Sequence, residues 1–115
     1  MSFTIFGLKR CSTCVKAKKF LEAQGHSVEM IDVREQVPSA EQLTQWADAL
    51  GWDKLINKAS QTWRQLDDAA KELGSYEERI TLIQANPSVM KRPLLVYPEG
   101  FKLGFSEKTY QEFVV

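Results

Sequence analysis

The sequence predicts an α/β fold. Three observations carry that prediction. A β-rich opening, SFTIF, is followed by a helix-patterned block and a second β-rich segment, HSVEMIDV. The middle of the chain repeats short amphipathic helical patterns, and the end reads as a hairpin, LLVYPEGFKLGF, running into a last helix. At 115 residues the chain has room for one domain with one ordinary hydrophobic core.

Ser2 to Phe6 ends at Gly7, a first strand and its turn. Cys14, Ala17 and Leu21 then recur at helical spacing beside Val15 and Phe20. They predict a helix from about Ser12 to Gln24, stopped by Gly25. His26 to Val33 is a second strand, rich in branched residues. Strand, helix and strand make a βαβ unit, expected to be right-handed with parallel strands. Both cysteines, in RCSTC, fall at the turn from the first strand into the first helix.

Beyond Val37-Pro38 the texture changes. Ser39 with Gln42 forms a capping box, and Leu43, Trp46, Ala47 and Leu50 follow at i, i+3, i+4 and i+7 up to Gly51. Trp52 to Ile56 reads as a short helical turn, and NKASQTWRQLDDAAKELG as a loop entering a helix. Ser75 with Glu78 caps another helix, with Tyr76, Ile80 and Ile83 expected inward and Asn86-Pro87 ending it. Trp46, Trp52 and Trp63 all lie here and are expected to build a small local core. After Arg92-Pro93 come a strand from Leu94 to Tyr97, a Pro98-Glu99-Gly100 turn and a strand from Phe101 to Gly104. Ser106 opens a final helix with Tyr110, Phe113 and Val114 on one face.

Fifteen basic and fifteen acidic side chains cancel, so no overall field exists to hold nucleic acid or an anionic membrane. No segment approaches the roughly 18 apolar residues of a membrane span. The opening MSFTIFGLKRC shows neither a long apolar run nor a small-residue cleavage site. A cytoplasmic setting is therefore expected, where structural disulfides are uncommon and a CxxC reads as redox or metal chemistry.

The stretch FGLKRCSTCVKAKKFL surrounds the two thiols with Lys9, Arg10, Lys16, Lys18 and Lys19 and no acid. A thiol becomes a good nucleophile on ionising, and positive charge favours the ionised form. Cys11 at a helix N-terminus gains further from the unpaired amides of the first turn. Cys11 is thus the expected nucleophile. Cys14, one turn on and more buried, is the expected resolving thiol, whose attack on a mixed disulfide would leave an internal disulfide. Alternatives stand beside this. The basic stretch can be a solvated helix face, and Cys14 can be a small packing residue. Zinc would need four ligands, and only His26, at the far end of the helix, is left to add; no metal is expected.

In this order, FGLKRCSTCVKAKKFLE, LGWDKLINKASQTWRQL, MKRPLLV and LGFSEKTYQEF resemble the arsenate-reductase-like ArsC/Spx family, most of all its YffB type. The likeness covers nearly the whole chain. It implies a thioredoxin-like fold, βαβ then ββα, with a mixed four-stranded sheet. One domain would span 1–115, with a helical insertion over about 36–90. Cys11 matches the family's nucleophile, Pro93 a proline held in cis beside it, and Arg92 an anion-binding arginine; a structural ion pair is the alternative for Arg92. Arsenate reductases bring further arginines to the oxyanion, where this chain carries Asn57, next to Lys58, and Phe105. A site that needs several forked donors is weakened, so arsenate reduction is the least expected activity.

The resemblance to the YffB type implies a thiol–disulfide oxidoreductase drawing electrons from glutathione, a co-substrate and not a tightly bound cofactor. Glutathione bears two carboxylates, which Lys9, Arg10, Lys58 and Arg92 would suit; Arg10 and Lys58 read equally well as solvent-facing charges. The resemblance to Spx implies a rival: a redox-switched regulator whose partner is the RNA polymerase α subunit. Neither reading calls for direct nucleic-acid or membrane contact, and a monomer is expected.

Overall fold

The structure is a computed structural model that describes residues 2–71, 74–98 and 100–114, without the side chains of 2, 70, 113 and 114. The chain divides into two compact units: the residues up to Glu35 together with those from Arg92 onward, and Gln36–Lys91.

In the first unit, strand β1 (Ser2–Gly7), helix α1 (Ser12–Ala23) and strand β2 (Ser27–Asp32) form the βαβ unit. β1 and β2 are parallel, Ser2 opposite Ser27 and Gly7 opposite Asp32. Strands β3 (Leu94–Tyr97) and β4 (Gly100–Leu103) form the hairpin, of which Glu99 lies outside the described residues. β3 pairs antiparallel with β1, giving a four-stranded mixed sheet in the order β2-β1-β3-β4. This is a thioredoxin-like arrangement.

Alternation along the strands sends Phe3 and Ile5 of β1, Leu95 of β3, and Val28 and Met30 of β2 into one apolar cluster. Ala17 and Leu21 of α1 and Tyr110 of the last helix, Glu107–Val114, close it. Phe3, Ile5, Ala17, Leu21, Leu95 and Tyr110 are almost wholly buried. Burying a residue such as Leu21 stabilises by roughly 1.5–3 kcal/mol. The Ser106 hydroxyl accepts the Thr109 N–H at 3.1 Å at the head of the last helix. Phe113 and Val114, expected on its inner face, have side chains outside the described residues.

The second unit is helical: α2 (Ala40–Leu50), α3 (Trp52–Leu55), α4 (Gln61–Gln65), α5 (Asp68–Lys71), α6 (Tyr76–Ala85) and a 3-10 turn, Pro87–Val89. The Ser39–Gln42 capping box forms in both directions, and Ser75 accepts from the Glu78 N–H at 3.2 Å. Gly51 joins α2 to α3 at φ +91, a left-handed conformation that side chains disfavour. Where one helix was expected after Lys58 there are two short ones, because Leu66 takes an extended backbone that ends α4. Ser60 caps α4 through the Trp63 N–H at 3.1 Å.

Two expectations about this unit's core are corrected. Trp46 and Trp52 are buried, but Trp63 is only partly buried, with Lys58 and Lys71 each 5.9 Å from its ring centroid. Tyr76 does not point inward: it is 43% exposed, stacks edge-on against Trp52 and donates its hydroxyl to Asp48 at 2.9 Å. Its phenol can keep its hydrogen bond at the surface while one ring edge remains in apolar contact. Leu82 takes the inward place beside Ile83.

Candidate active site

The carboxyl end of β1 leads through Gly7 into a turn, residues 8–10, and then into α1. The Cys11 N–H donates to the Leu8 carbonyl at 3.0 Å, and the Val15 N–H closes the first helical bond on the Cys11 carbonyl at 3.0 Å. Cys11 is the N-cap residue, with extended backbone (φ −73, ψ 118), no side chain capping the helix and no acid in the first turn. The first-turn amides are therefore available to the Cys11 sulfur.

The electrostatics follow from that placement. Partial burial is the largest single influence on the Cys11 thiol and opposes ionisation. The Cys14 N–H, the Cys14 thiol, the Thr13 N–H and the Arg92 charge together outweigh it, so the thiol ionises below its ordinary value. The positive charge among these influences comes from Arg92, far along the chain, and not from the basic residues beside the cysteines. Lys9 is instead held by Glu35, Nζ to Oε2 at 2.7 Å. Lys18 and Lys19 line an adjoining groove with Lys9, Val15, Glu22 and Met30.

Cys14 is fully buried. Burial pushes its thiol up to about 12; the Cys11 sulfur adds to this, while a backbone hydrogen bond at Leu8 and the Arg92 charge oppose it. Both cysteines are free thiols. A Cβ at Gly7 would collide with the Cys14 sulfur, so glycine is what lets β1 pass this close. The phenol of Tyr110 is pushed up first by burial and then by Cys14.

A cleft of about 660 Å³ opens beside Cys11, lined by residues 8–12, Asp32, Arg34, Glu35 and Arg92. Four of the site residues expected from the sequence thus meet: Lys9, Arg10, Cys11 and Arg92. Cys14 lies beneath them, and Pro93 is buried behind a cis Arg92–Pro93 peptide bond. Lys58 belongs to the helical unit, 3.8 Å from Asp53. Asn57 is occupied locally, its side chain accepting the Ala59 N–H at 3.1 Å. Phe105 packs edge-on against Tyr110, ring centroids 4.7 Å apart. Among the described residues no group of three or more His, Cys, Asp or Glu side chains could hold a metal ion. No helix among them is long and apolar enough to cross a membrane.

Sequence reasoning missed Asp32, Arg34 and Glu35. The signal was present, since parallel pairing in a βαβ unit brings the carboxyl end of the second strand level with the turn after the first. Gly7 opposite Asp32 is that pairing. With them the cleft carries four cations, Lys9, Arg10, Arg34 and Arg92, and two carboxylates.

Known proteins resemble the chain throughout. An uncharacterised protein of Haemophilus influenzae is 35% identical over 108 residues, 94% of this chain and 95% of that one. YusI of Bacillus subtilis is 34% identical over 97% of this chain and 98% of its own. The global transcriptional regulator Spx of Streptococcus mutans is 26% identical over 96% of this chain and 82% of its own. Among solved structures, a YffB protein superposes with a TM-score of 0.90 at 29% identity, covering 98% and 99% of the two chains. An arsenate reductase (ArsC) related protein of Brucella melitensis gives 0.75 at 32%, covering 98% and 94%. The family model described as the ArsC family matches residues 6–113, nearly the whole chain, and the protein belongs to that family.

Proposed function

We propose that this protein is a thiol–disulfide oxidoreductase that draws its electrons from glutathione. One observation carries the reading: Cys11 heads α1 among free first-turn amides, with Arg92 acting on it, and opens onto a cationic cleft. The Cys11 thiolate attacks a mixed disulfide between glutathione and a substrate thiol. A new disulfide forms between Cys11 and the glutathionyl sulfur, the old S–S bond breaks, and the substrate leaves as a thiolate that takes a proton from water. A second glutathione thiolate then attacks the glutathionyl sulfur, releasing oxidised glutathione and restoring the Cys11 thiolate.

Cys14 offers the internal route. Its attack on Cys11 gives a Cys11–Cys14 disulfide and frees glutathione, and two further glutathiones reduce it. Burial is the chief cause of its raised thiol. The contribution of the Cys11 anion disappears once Cys11 is in a disulfide. Lys9 is paired with Glu35, so Arg10, Arg34 and Arg92 are the cleft cations that suit a tripeptide with two carboxylates. Turnover of a glutathione mixed disulfide tests the reading. Cys11→Ser should abolish it, and Cys14→Ser should retain the single-thiol cycle. A Cys11→Ser protein as active as the parent would refute it.

A second reading is favoured by the likeness to Spx, over 96% of this chain and 82% of that one, together with the CxxC: a redox-switched regulator that binds the RNA polymerase α subunit. Binding to that subunit that changes with the redox state of the thiols, without turnover, would select it.

A further inference from the structure

The exit of β2 supplies three residues of the cleft, Asp32, Arg34 and Glu35, to which the thiol chemistry assigns no bond-making step. Asp32 is the unexpected one. A carboxylate on the wall of a site that runs on a thiolate opposes that thiolate. Its geometry supplies a reason for its presence. Oδ2 accepts the Lys9 N–H at 3.0 Å and Oδ1 accepts the Arg34 N–H at 2.8 Å. The Val33 N–H donates to the Gly7 carbonyl at 2.9 Å, and Lys9 Nζ reaches across to Glu35. The turn that ends in Cys11 is thereby tied to the turn that follows β2. Lys9 lies two residues before Cys11, whose own N–H closes that turn on Leu8.

We infer that Asp32 is a positioning residue: by holding the Lys9 and Arg34 amides it fixes the 8–11 turn so that the Cys11 sulfur lies at the first-turn amides of α1. The inference rests on the reading of Cys11 as the nucleophile. A carboxylate suits the task, because one group with two oxygens accepts two backbone donors from two different turns, and charged acceptors bind such donors strongly.

Asp32 has two effects of opposite sign, and substitution separates them. A carboxylate charge by itself disfavours a nearby thiolate, whereas these hydrogen bonds would hold the sulfur where amides favour it. Asp32→Asn and Asp32→Ala remove the same charge, but asparagine keeps one oxygen, able to accept one of the two N–H groups, and alanine keeps none. The experiment follows alkylation of Cys11 by iodoacetamide against pH, read on the Cys11 peptide by mass spectrometry, in the parent and both variants. The Asp32→Ala titration should lie at higher pH than that of Asp32→Asn, with alkylation several-fold slower at neutral pH. Coincident titrations in the two variants would overturn the inference and leave Asp32 a charge alone.

If Asp32→Ala does not fold, the parent protein carries the test by NMR. The Lys9 amide should be protected from exchange, and its shift should follow the Asp32 carboxylate. The Lys9 amide bond, foremost among several, holds that carboxylate below its ordinary value. A Lys9 amide that exchanges freely and ignores that titration would overturn the inference as well. Failure of the catalytic reading looks different: Cys11 would then titrate like an ordinary thiol in the parent itself.

Discussion

Gly7→Ala is the sharpest probe of how the site is built. Gly7 does not have a positive φ, so alanine meets no backbone strain there. What it meets is the Cys14 sulfur, which the new methyl group would overlap, with the Cys14 Cβ 3.4 Å away. Cys14 is fully buried and sits on α1, one turn before Ala17 of the core cluster, so it has little room to retreat. Overpacking of a filled core costs about 1–3 kcal/mol. Replacing glycine where alanine is allowed returns about 0.4–1 kcal/mol through the unfolded chain. The net loss should be about 1–2 kcal/mol, and for a chain of this size a kcal/mol moves Tm by about 4 °C. The decisive step is the second background. Cys14→Ala removes the sulfur and leaves the 3.4 Å contact, which is ordinary van der Waals packing. Gly7→Ala should then be neutral or slightly stabilising. A double-mutant cycle by urea denaturation should give a coupling of about 1–3 kcal/mol. An equal cost of Gly7→Ala in both backgrounds would refute the reasoning.

Two further outcomes are expected. Arg92→Gln should move Cys11 alkylation to higher pH, because it removes the charge that favours the thiolate, while Arg92→Lys should retain part of the effect; an unchanged titration in Arg92→Gln would remove Arg92 from the site's electrostatics. Cys14 makes stability depend on pH with a defined sign: its folded value is about 12 against an ordinary 9.0, so its contribution is complete below pH 9 and is lost as pH rises towards 12. The unfolded chain releases that proton first, so by pH 10 the parent should lose about 1 kcal/mol more than Cys14→Ala, measured by denaturation at pH 8 and pH 10. Equal losses in the two proteins would count against the buried thiol.

Much of the fold was legible because its signals are local. Gly25 after a 3.6-residue apolar period, the Ser39–Gln42 box, and the hairpin after Pro93 each depend on a few neighbouring residues. Trp63 and Tyr76 misled for the opposite reason. Both are large aromatics at plausible inward positions, but each has a polar or cationic partner at the surface, Lys58 and Lys71 for one and Asp48 for the other. Hydrophobicity alone does not distinguish a core ring from one that lies partly buried under ammonium groups.

At the site the division is cleaner. Cys11 at the head of a helix, Cys14 one turn inward and the absence of an acid from the first turn were all determined by sequence order, because helix geometry converts spacing into position. Which charges act on the thiol was not. Arg92 and Asp32 are far from Cys11 along the chain, yet both line its cleft, whereas neighbouring Lys9 is engaged by Glu35. Coulombic forces and hydrogen bonds follow distance through space, so those partners were settled only when the sheet brought the ends of β1, β2 and β3 together.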